Sequence, residues 1–98
     1  MSGKIRITRG SGNVFLDLGF SKVEAENLRL RSELMMRIAA FHRESGMTQG
    51  ECAKRLGLTQ PRLNALLKGK LSQFSLDALV NIASRAGLNV QLVVKKAA

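Results

Sequence analysis

Four places along the chain share one pattern of hydrophobic and polar residues. A hydrophobic residue precedes Ser or Thr, and an apolar or small residue follows five positions after the first. This arrangement is the hydrophobic staple around a helix N-cap, in which two apolar side chains pack across the start of a helix. The sequence therefore predicts four helix starts. The staple pairs are Phe20 and Ala25, Met47 and Cys52, Leu58 and Leu63, and Phe74 and Leu79.

Neighbouring residues indicate where each of these helices begins and ends. Glu24 and Glu51 lie three positions after the caps Ser21 and Thr48, which completes a capping box at each start. A glycine closes each of the four segments, at positions 46, 57, 69 and 87, and glycine adopts the left-handed conformation that ends many helices. The predicted helices are residues 22–45, 49–56, 60–68 and 76–86.

The first predicted helix carries apolar side chains over an unusually wide face. One broad core face explains this width, and so do two burial surfaces, of which one contacts a second subunit. A bend near residues 27–29 that splits the helix is a third explanation, and the pattern leaves all three open. One stripe consists of Val23, Leu30, Leu34, Ile38 and Phe41. The stripe beside it consists of Leu28, Met35, Ala39 and His42.

The N-terminal 20 residues differ from the helical middle of the chain. Residues 4–8 alternate polar and apolar side chains, which is typical of a short strand. Residues 9–13 contain two glycines and predict a flexible turn. We expect residues 1–20 to form a partly flexible basic arm that contacts DNA or a partner.

The C-terminal residues 89–95 also predict a strand, with Val90, Leu92 and Val94 on one face. A lone strand leaves its backbone groups unpaired, so it needs a partner. Residues 5–7, or the same strand of a second chain, are the candidates.

These elements predict an all-α fold, a compact bundle of four to five helices with a central helix-turn-helix and a short C-terminal β-strand. The predicted organisation is an arm at residues 1–20, a helical domain at residues 21–88, and a strand with a basic tail at residues 89–98. A chain of 98 residues has room for one small domain of this kind.

The net charge of the chain favours some functions over others. The chain has 16 Lys and Arg against 7 Asp and Glu, a formal net charge of +9. Such an excess attracts polyanions, and each cation placed on a phosphate releases counterions. No apolar run approaches the roughly 20 residues needed to cross a bilayer, and the N-terminus lacks a signal-peptide core. We therefore expect a cytoplasmic protein with no membrane partner.

Catalytic and metal chemistry have little support. The single Cys52 excludes a disulfide within the chain, and one Cys with one His is too few for a zinc site. Cys52 and His42 form no supported nucleophile–base pair, and Cys52 falls at a position expected to be buried. We expect no enzyme activity, no cofactor and no metal.

Residues 48–69 predict two short helices joined by Gly57, Leu58 and Thr59. Ala53 is small enough for the helices to cross closely, and Gly57 permits a tight turn. This is the helix-turn-helix arrangement, whose second helix enters the major groove of DNA. A helical wheel leaves its outer surface polar and without acidic residues. The predicted DNA-contacting residues are Gln49, Thr59, Gln60, Pro61, Arg62, Asn64, Ala65, Lys68 and Lys70.

Each residue type suits a part of duplex DNA. The amides of Gln60 and Asn64 match adenine, and the guanidinium of Arg62 matches guanine. Ala65 is placed to meet a thymine methyl group. Lys68 and Lys70 are expected on phosphates.

The same residues resemble the lambda-repressor-like, Cro/XRE-type helix-turn-helix family. The resemblance lies in Thr48-Gln49, Ala53, Leu56-Gly57-Leu58-Thr59-Gln60 and Gly69. Residues 10–20, 25–28 and 60–62 further resemble HigA-type antitoxin-related regulators. The resemblance implies a prokaryotic homodimer that binds an inverted-repeat operator, with a toxin partner of the RelE/HigB kind. The broader family often has a polar residue where this chain has Pro61, which shifts base contact to Gln60 and Arg62.

The sequence thus predicts a sequence-specific double-stranded DNA-binding repressor, an antitoxin-like autoregulator whose recognition helix is residues 60–68. The alternative is a protein-interaction module that neutralises a toxin or dimerises without selecting a DNA sequence of its own.

Overall fold

The computed structural model describes residues 13–96, and within them the chain forms α-helices joined by short turns. The fold is all-α, which confirms the predicted class. The four predicted helices begin at the expected residues. A 3₁₀ turn, Leu71–Gln73, lies between the last two helices. The helices are α1 (Val14–Asp17), α2 (Lys22–Ser45), α3 (Gln49–Leu56), α4 (Gln60–Leu67) and α5 (Leu76–Arg85).

The N-caps form as the sequence predicts. The hydroxyl oxygens of Ser21 and Thr48 accept from the backbone N–H of Glu24 and Glu51 at 3.2 and 3.1 Å, and both glutamates bond back to the cap residue. The caps of α4 and α5 are Thr59 and Ser75, whose oxygens accept from the N–H groups of Arg62 and Ala78. Each side-chain cap is worth about 1 kcal/mol of helix stability.

The hydrophobic core lies where α2, α3, α4 and α5 meet. It forms because each helix buries one apolar stripe against the others, and burial of each large aliphatic side chain contributes about 1.5–3 kcal/mol. Phe74, between the 3₁₀ turn and α5, is only 1% exposed and joins this core. The largest fully buried side chains are Phe74, Ile38, Leu56, Leu63, Leu66, Leu79 and Cys52.

Helix α2 runs without interruption from Lys22 to Ser45, so the predicted alternative of a break near residues 27–29 is wrong. Its middle supplies Leu34, Met35 and Ile38 to the core. Val23, which the sequence placed in the same stripe, is 81% exposed. In this first turn of α2 the buried residue is Ala25, which is 0% exposed, and Val23 points to solvent instead.

Helix α1 lies in the segment that the sequence assigned to a flexible arm. It has four residues and no hydrophobic staple, so no periodic pattern marks it. The Asn13 side chain holds it in place, since its Oδ1 accepts from the Phe15 N–H at 3.0 Å and its Nδ2 donates to the Ala25 carbonyl at 3.3 Å. The predicted strand at residues 4–8 lies outside the described residues.

The predicted C-terminal strand is not formed within residues 13–96. Residues 88–96 have no regular structure, and Leu92 and Val94 are 86% and 81% exposed. A strand needs a neighbour for its backbone groups, and the described part of this chain offers none. Leu88 and Val90 pack partly against the core. No helix described here is long and apolar enough to cross a membrane.

Candidate nucleic-acid interface

Helices α3 and α4 have eight residues each and are joined by Gly57, Leu58 and Thr59. Gly57 has φ +72°, a conformation that L side chains adopt at a cost. It reverses the chain so that the Leu58 N–H donates to the Ala53 carbonyl at 2.8 Å. Cys52, Ala53 and Leu56 of α3 then face Leu63 and Leu66 of α4 within the core.

The N-terminal turns of the two helices lie side by side. A Cβ atom placed on Gly50 would lie 3.9 Å from Oε1 of Gln60, so the first turn of α3 and the first residue of α4 are neighbours. Gln49 and Gln60 are both exposed. The N-terminal end of a helix attracts anions, because its first N–H groups lack partners within the helix. Two helix N-termini and two amide side chains therefore share one surface.

Most of the predicted DNA-contacting residues are exposed. Asn64, in the second turn of α4, is half-buried. Helix α4 contains no acidic residue, and the exposed Lys68 and Lys70 lie just beyond its last residue, so positive charge is concentrated at its C-terminal end. The exposed members are Gln49, Thr59, Gln60, Pro61, Lys68 and Lys70.

Ala65 does not lie on the outer surface. The sequence placed it on the outer surface, but it is 8% exposed and belongs to the core. After α4 the chain turns at Gly69, and the Lys70 N–H donates to the Ala65 carbonyl at 3.1 Å, which closes the end of the helix. The predicted outward position of Ala65 is therefore wrong, and its contact with a thymine methyl group stays a prediction.

Arg62 also differs from the expected outward guanidinium. Its Cζ lies 4.1 Å from the centre of the Phe74 ring, and its Nη1 donates to the Gln73 carbonyl at 2.9 Å. The side chain is half-buried. Arg62 thus packs on the segment that follows α4, with its charge on the face of an aromatic ring.

Arg31 reaches the same segment from α2. Its Nη1 donates to the carbonyls of Leu71 and Phe74, at 2.9 and 3.1 Å, and its Nε donates to Oδ1 of Asn27 at 2.7 Å. The sequence gives no signal for this role, because nothing in the helical periodicity of α2 connects Arg31 to residues 71–74. The carbonyls of residues 71, 73 and 74 all accept from arginine.

Arg55 of α3 makes a similar pair of contacts, with an aromatic ring and with a backbone carbonyl at the end of α5. Its guanidinium lies 5.5 Å from the Phe41 ring centre, and its Nε donates to the Arg85 carbonyl at 3.3 Å. A cation near the last carbonyls of a helix stabilises the negative end of its dipole. Cys52 is fully buried, and that burial raises the pKa of its thiol, against a smaller opposing effect of Arg55.

Two short capped helices, a three-residue turn with a left-handed glycine, and a second helix with an exposed polar N-terminus define the helix-turn-helix class. The profile of the helix-turn-helix domain family matches residues 14–95. The chain belongs to this family, in agreement with its predicted lambda-repressor-like architecture.

A solved structure supports this assignment. It is provisionally described as an XRE family transcriptional regulator, and it superposes with a TM-score of 0.70 at 28% sequence identity. The similarity covers 76% of this chain and 83% of that one. No curated protein matches the chain.

Proposed function

We propose that the protein is a sequence-specific DNA-binding transcriptional regulator whose helix α4 enters the major groove. The observation that carries this proposal is the shared surface of the α3 and α4 N-termini, with exposed Gln49 and Gln60. Membership of the helix-turn-helix family and the similarity to a structure described as an XRE family regulator support it. The net charge of +9 supplies the long-range attraction to DNA.

The exposed side chains suggest how the contacts are divided. Gln60 and the half-buried Asn64 carry amides that match the N6 and N7 groups of adenine. Gln49 and the Thr59 end of α4 face the sugar–phosphate backbone in this arrangement, because the remaining free N–H groups and the dipole of a helix N-terminus attract phosphate. Lys68 and Lys70 add phosphate contacts that fix orientation without selecting sequence.

We propose further that two copies bind together, as a repressor on an inverted repeat in the cytoplasm of a prokaryotic cell. Two helix-turn-helix units of a dimer place their recognition helices one DNA turn apart, about 34–36 Å. The exposed apolar tail supports a second copy as partner, since Leu92 and Val94 lie on a segment with a strand-like sequence that pairs with no strand among residues 13–96.

Selection of bound sites from random duplex DNA tests this proposal. We expect a palindromic site with half-sites about one turn apart and a protein-to-DNA ratio of two. Gln60→Ala should weaken binding to the selected site by about tenfold or more, with little effect on random duplex. Asn81→Ala, which removes an exposed amide on α5, is the matched control. Failure to enrich any sequence would contradict the proposal.

A second candidate function is that of an antitoxin, as the resemblance to HigA-type regulators suggests. A specific surface favours it: Val14, Leu16, Leu18, Phe20 and Val23, at the α1 end of the molecule, are 42–81% exposed. Residues 13–29 carry three acidic and two basic side chains in an otherwise basic chain. An apolar and mildly acidic surface suits a small basic protein, the character expected of a ribonuclease toxin.

Co-expression with the protein encoded by the neighbouring gene tests the antitoxin role. We expect a stable complex that Leu18→Glu and Val23→Glu disrupt, because a buried carboxylate opposes apolar contact. Met36→Glu is the control, because Met36 lies in the middle of α2, is 59% exposed and belongs to neither proposed surface. It should leave the complex intact, and DNA binding should survive all three substitutions. A complex that is insensitive to both changes at the α1 end would exclude this surface.

A further inference from the structure

We propose that Arg62 is a positioning residue, which holds the segment 68–74 and its two lysines against the recognition helix instead of selecting a base. This inference rests on the proposed DNA-binding function but assigns Arg62 a different role from the one its sequence position suggests. Its guanidinium stacks on Phe74 and donates to the Gln73 carbonyl.

Arg62 and Arg31 both bind the segment 71–74, and we call these two arginines with the segment between them in the contact network the clamp. Phe74 is 1% exposed, so the ring beneath the guanidinium is fixed by the core. Arg31 holds the same segment from α2, through the carbonyls of Leu71 and Phe74. Residues 71–74 are therefore bound by two arginines, one from α2 and one from α4.

The position of the lysines depends on this segment. Lys68 ends α4, and after the turn at Gly69 the Lys70 N–H returns to the Ala65 carbonyl. The Gln73 N–H in turn donates to the Lys70 carbonyl at 3.1 Å. Arg62 holds Gln73 and Phe74, so it fixes the far end of the loop that carries both lysines.

Base selection by Arg62 would require breaking these contacts. An Arg that pairs with guanine presents its fork to the O6 and N7 atoms in the groove. Here the same guanidinium lies on an aromatic face and donates to a backbone carbonyl. Base selection on α4 then falls to Gln60 and Asn64.

Two conservative substitutions distinguish a positioning role of Arg62 from base selection. Arg62→Lys retains the positive charge but loses the planar group that stacks on the ring. Phe74→Leu retains Arg62 and the apolar core but removes the ring face. Arg62→Ala removes both the charge and the contacts. Circular dichroism establishes that each variant is folded at the temperature of the assay.

The first measurement needs no DNA. Amide hydrogen exchange should become about fivefold or more faster at Lys70, Gln73 and Phe74 in Arg62→Ala, because a charged hydrogen bond and the stacking contact are lost. The Leu79 amide in α5 is the internal reference and should be unaffected. Unchanged exchange at residues 70–74 would overturn the clamp, whether or not the protein binds DNA.

The second measurement uses the selected DNA site and random duplex. Arg62→Lys and Phe74→Leu should weaken binding to both by the same factor and flatten the dependence of affinity on salt, since displaced lysines neutralise fewer phosphates. A change of base preference at one position in Arg62→Lys, with wild-type preference in Phe74→Leu, would overturn the proposal in favour of base selection. If wild type enriches no site, the DNA-binding function fails, and the exchange data alone decide the clamp.

Discussion

Asn13 and Ala25 are joined by a hydrogen bond of 3.3 Å from the Asn13 side-chain amide to the Ala25 carbonyl. Through the same side chain, Asn13 caps α1 by accepting from the Phe15 N–H. The Asn13 side chain is only 8% exposed. One amide thus begins a four-residue helix and fixes it to α2.

Asn13→Ala should therefore detach α1 and lower the free energy of unfolding by about 1–3 kcal/mol, the combined effect of a lost cap and a lost buried hydrogen bond. Urea denaturation measures this change. Asn13→Ser is the matched variant, because it retains the cap oxygen and loses only the donor to Ala25. It should fall between wild type and Asn13→Ala. Equal losses in the two variants would mean that the cap contributes nothing.

A comparison of Gly57 with Gly46 separates two costs of replacing a glycine. One is the strain of a left-handed backbone, and the other is the crowding around the added Cβ atom. Both glycines have positive φ, +72° and +76°. A Cβ at Gly57 would lie 3.0 Å from Cζ of Arg85, whereas one at Gly46 would meet nothing within 4 Å. Arg85 is exposed and its guanidinium is at the end of a flexible side chain, so it has room to move.

We expect Gly46→Ala and Gly57→Ala to lower stability by similar amounts, about 1–2 kcal/mol each, because the left-handed conformation dominates. Thermal and urea unfolding of the two variants measure the difference. The double variant Gly57→Ala, Arg85→Ala isolates the crowding. A loss several kcal/mol larger at Gly57, reversed in the double variant, would show that Arg85 is held rigidly.

The buried thiol of Cys52 predicts a pH dependence. Burial raises its pKa in the folded protein, so the unfolded thiol ionises at a lower pH than the folded one. Cys52 then contributes stability below the pKa of the unfolded thiol, and this contribution is lost as the pH rises through the pKa of the folded thiol. We expect Cys52→Ala to be less stable than wild type near neutral pH, with a gap that narrows in alkaline solution. Urea midpoints at pH 7 and pH 10 measure this.

The reactivity of Cys52 gives an independent measurement. A thiol that is 0% exposed should react with a disulfide reagent only when the protein opens. Adding urea up to the unfolding midpoint should therefore raise the rate by orders of magnitude. Rapid labelling of the native protein would contradict the burial of Cys52.

The helix starts were predictable because their chemistry is local. Ser21 with Glu24, and Thr48 with Glu51, are three positions apart, and the side chains bond the backbone within one turn. Arg62 was not predictable in the same way. Its partners Gln73 and Phe74 become neighbours only after the chain reverses beyond α4, and helical periodicity carries no information about that reversal.

The other differences have related causes. Ala65 is buried in the core, which a helical wheel of α4 alone cannot show. Helix α1 depends on the bond from Asn13 to Ala25, 12 positions away, which no local pattern marks. The alternation at Val90, Leu92 and Val94 is typical of a strand, but a strand also needs a partner. Among residues 13–96 no strand pairs with this segment.

Lys68 and Lys70 should contribute affinity without selectivity. Each cation on a phosphate changes the slope of log K against log salt by about 0.9, so Lys68→Ala should reduce the slope by about one and weaken the selected site and random duplex alike. Lys22→Ala is the matched control, since Lys22 is equally exposed but lies at the α1 end of α2. Its slope should remain that of wild type. Fluorescence anisotropy over a salt series measures both. If Lys68→Ala and Lys22→Ala give the same slope, the basic loop after α4 is not on the DNA, and α4 does not enter the groove in the proposed orientation.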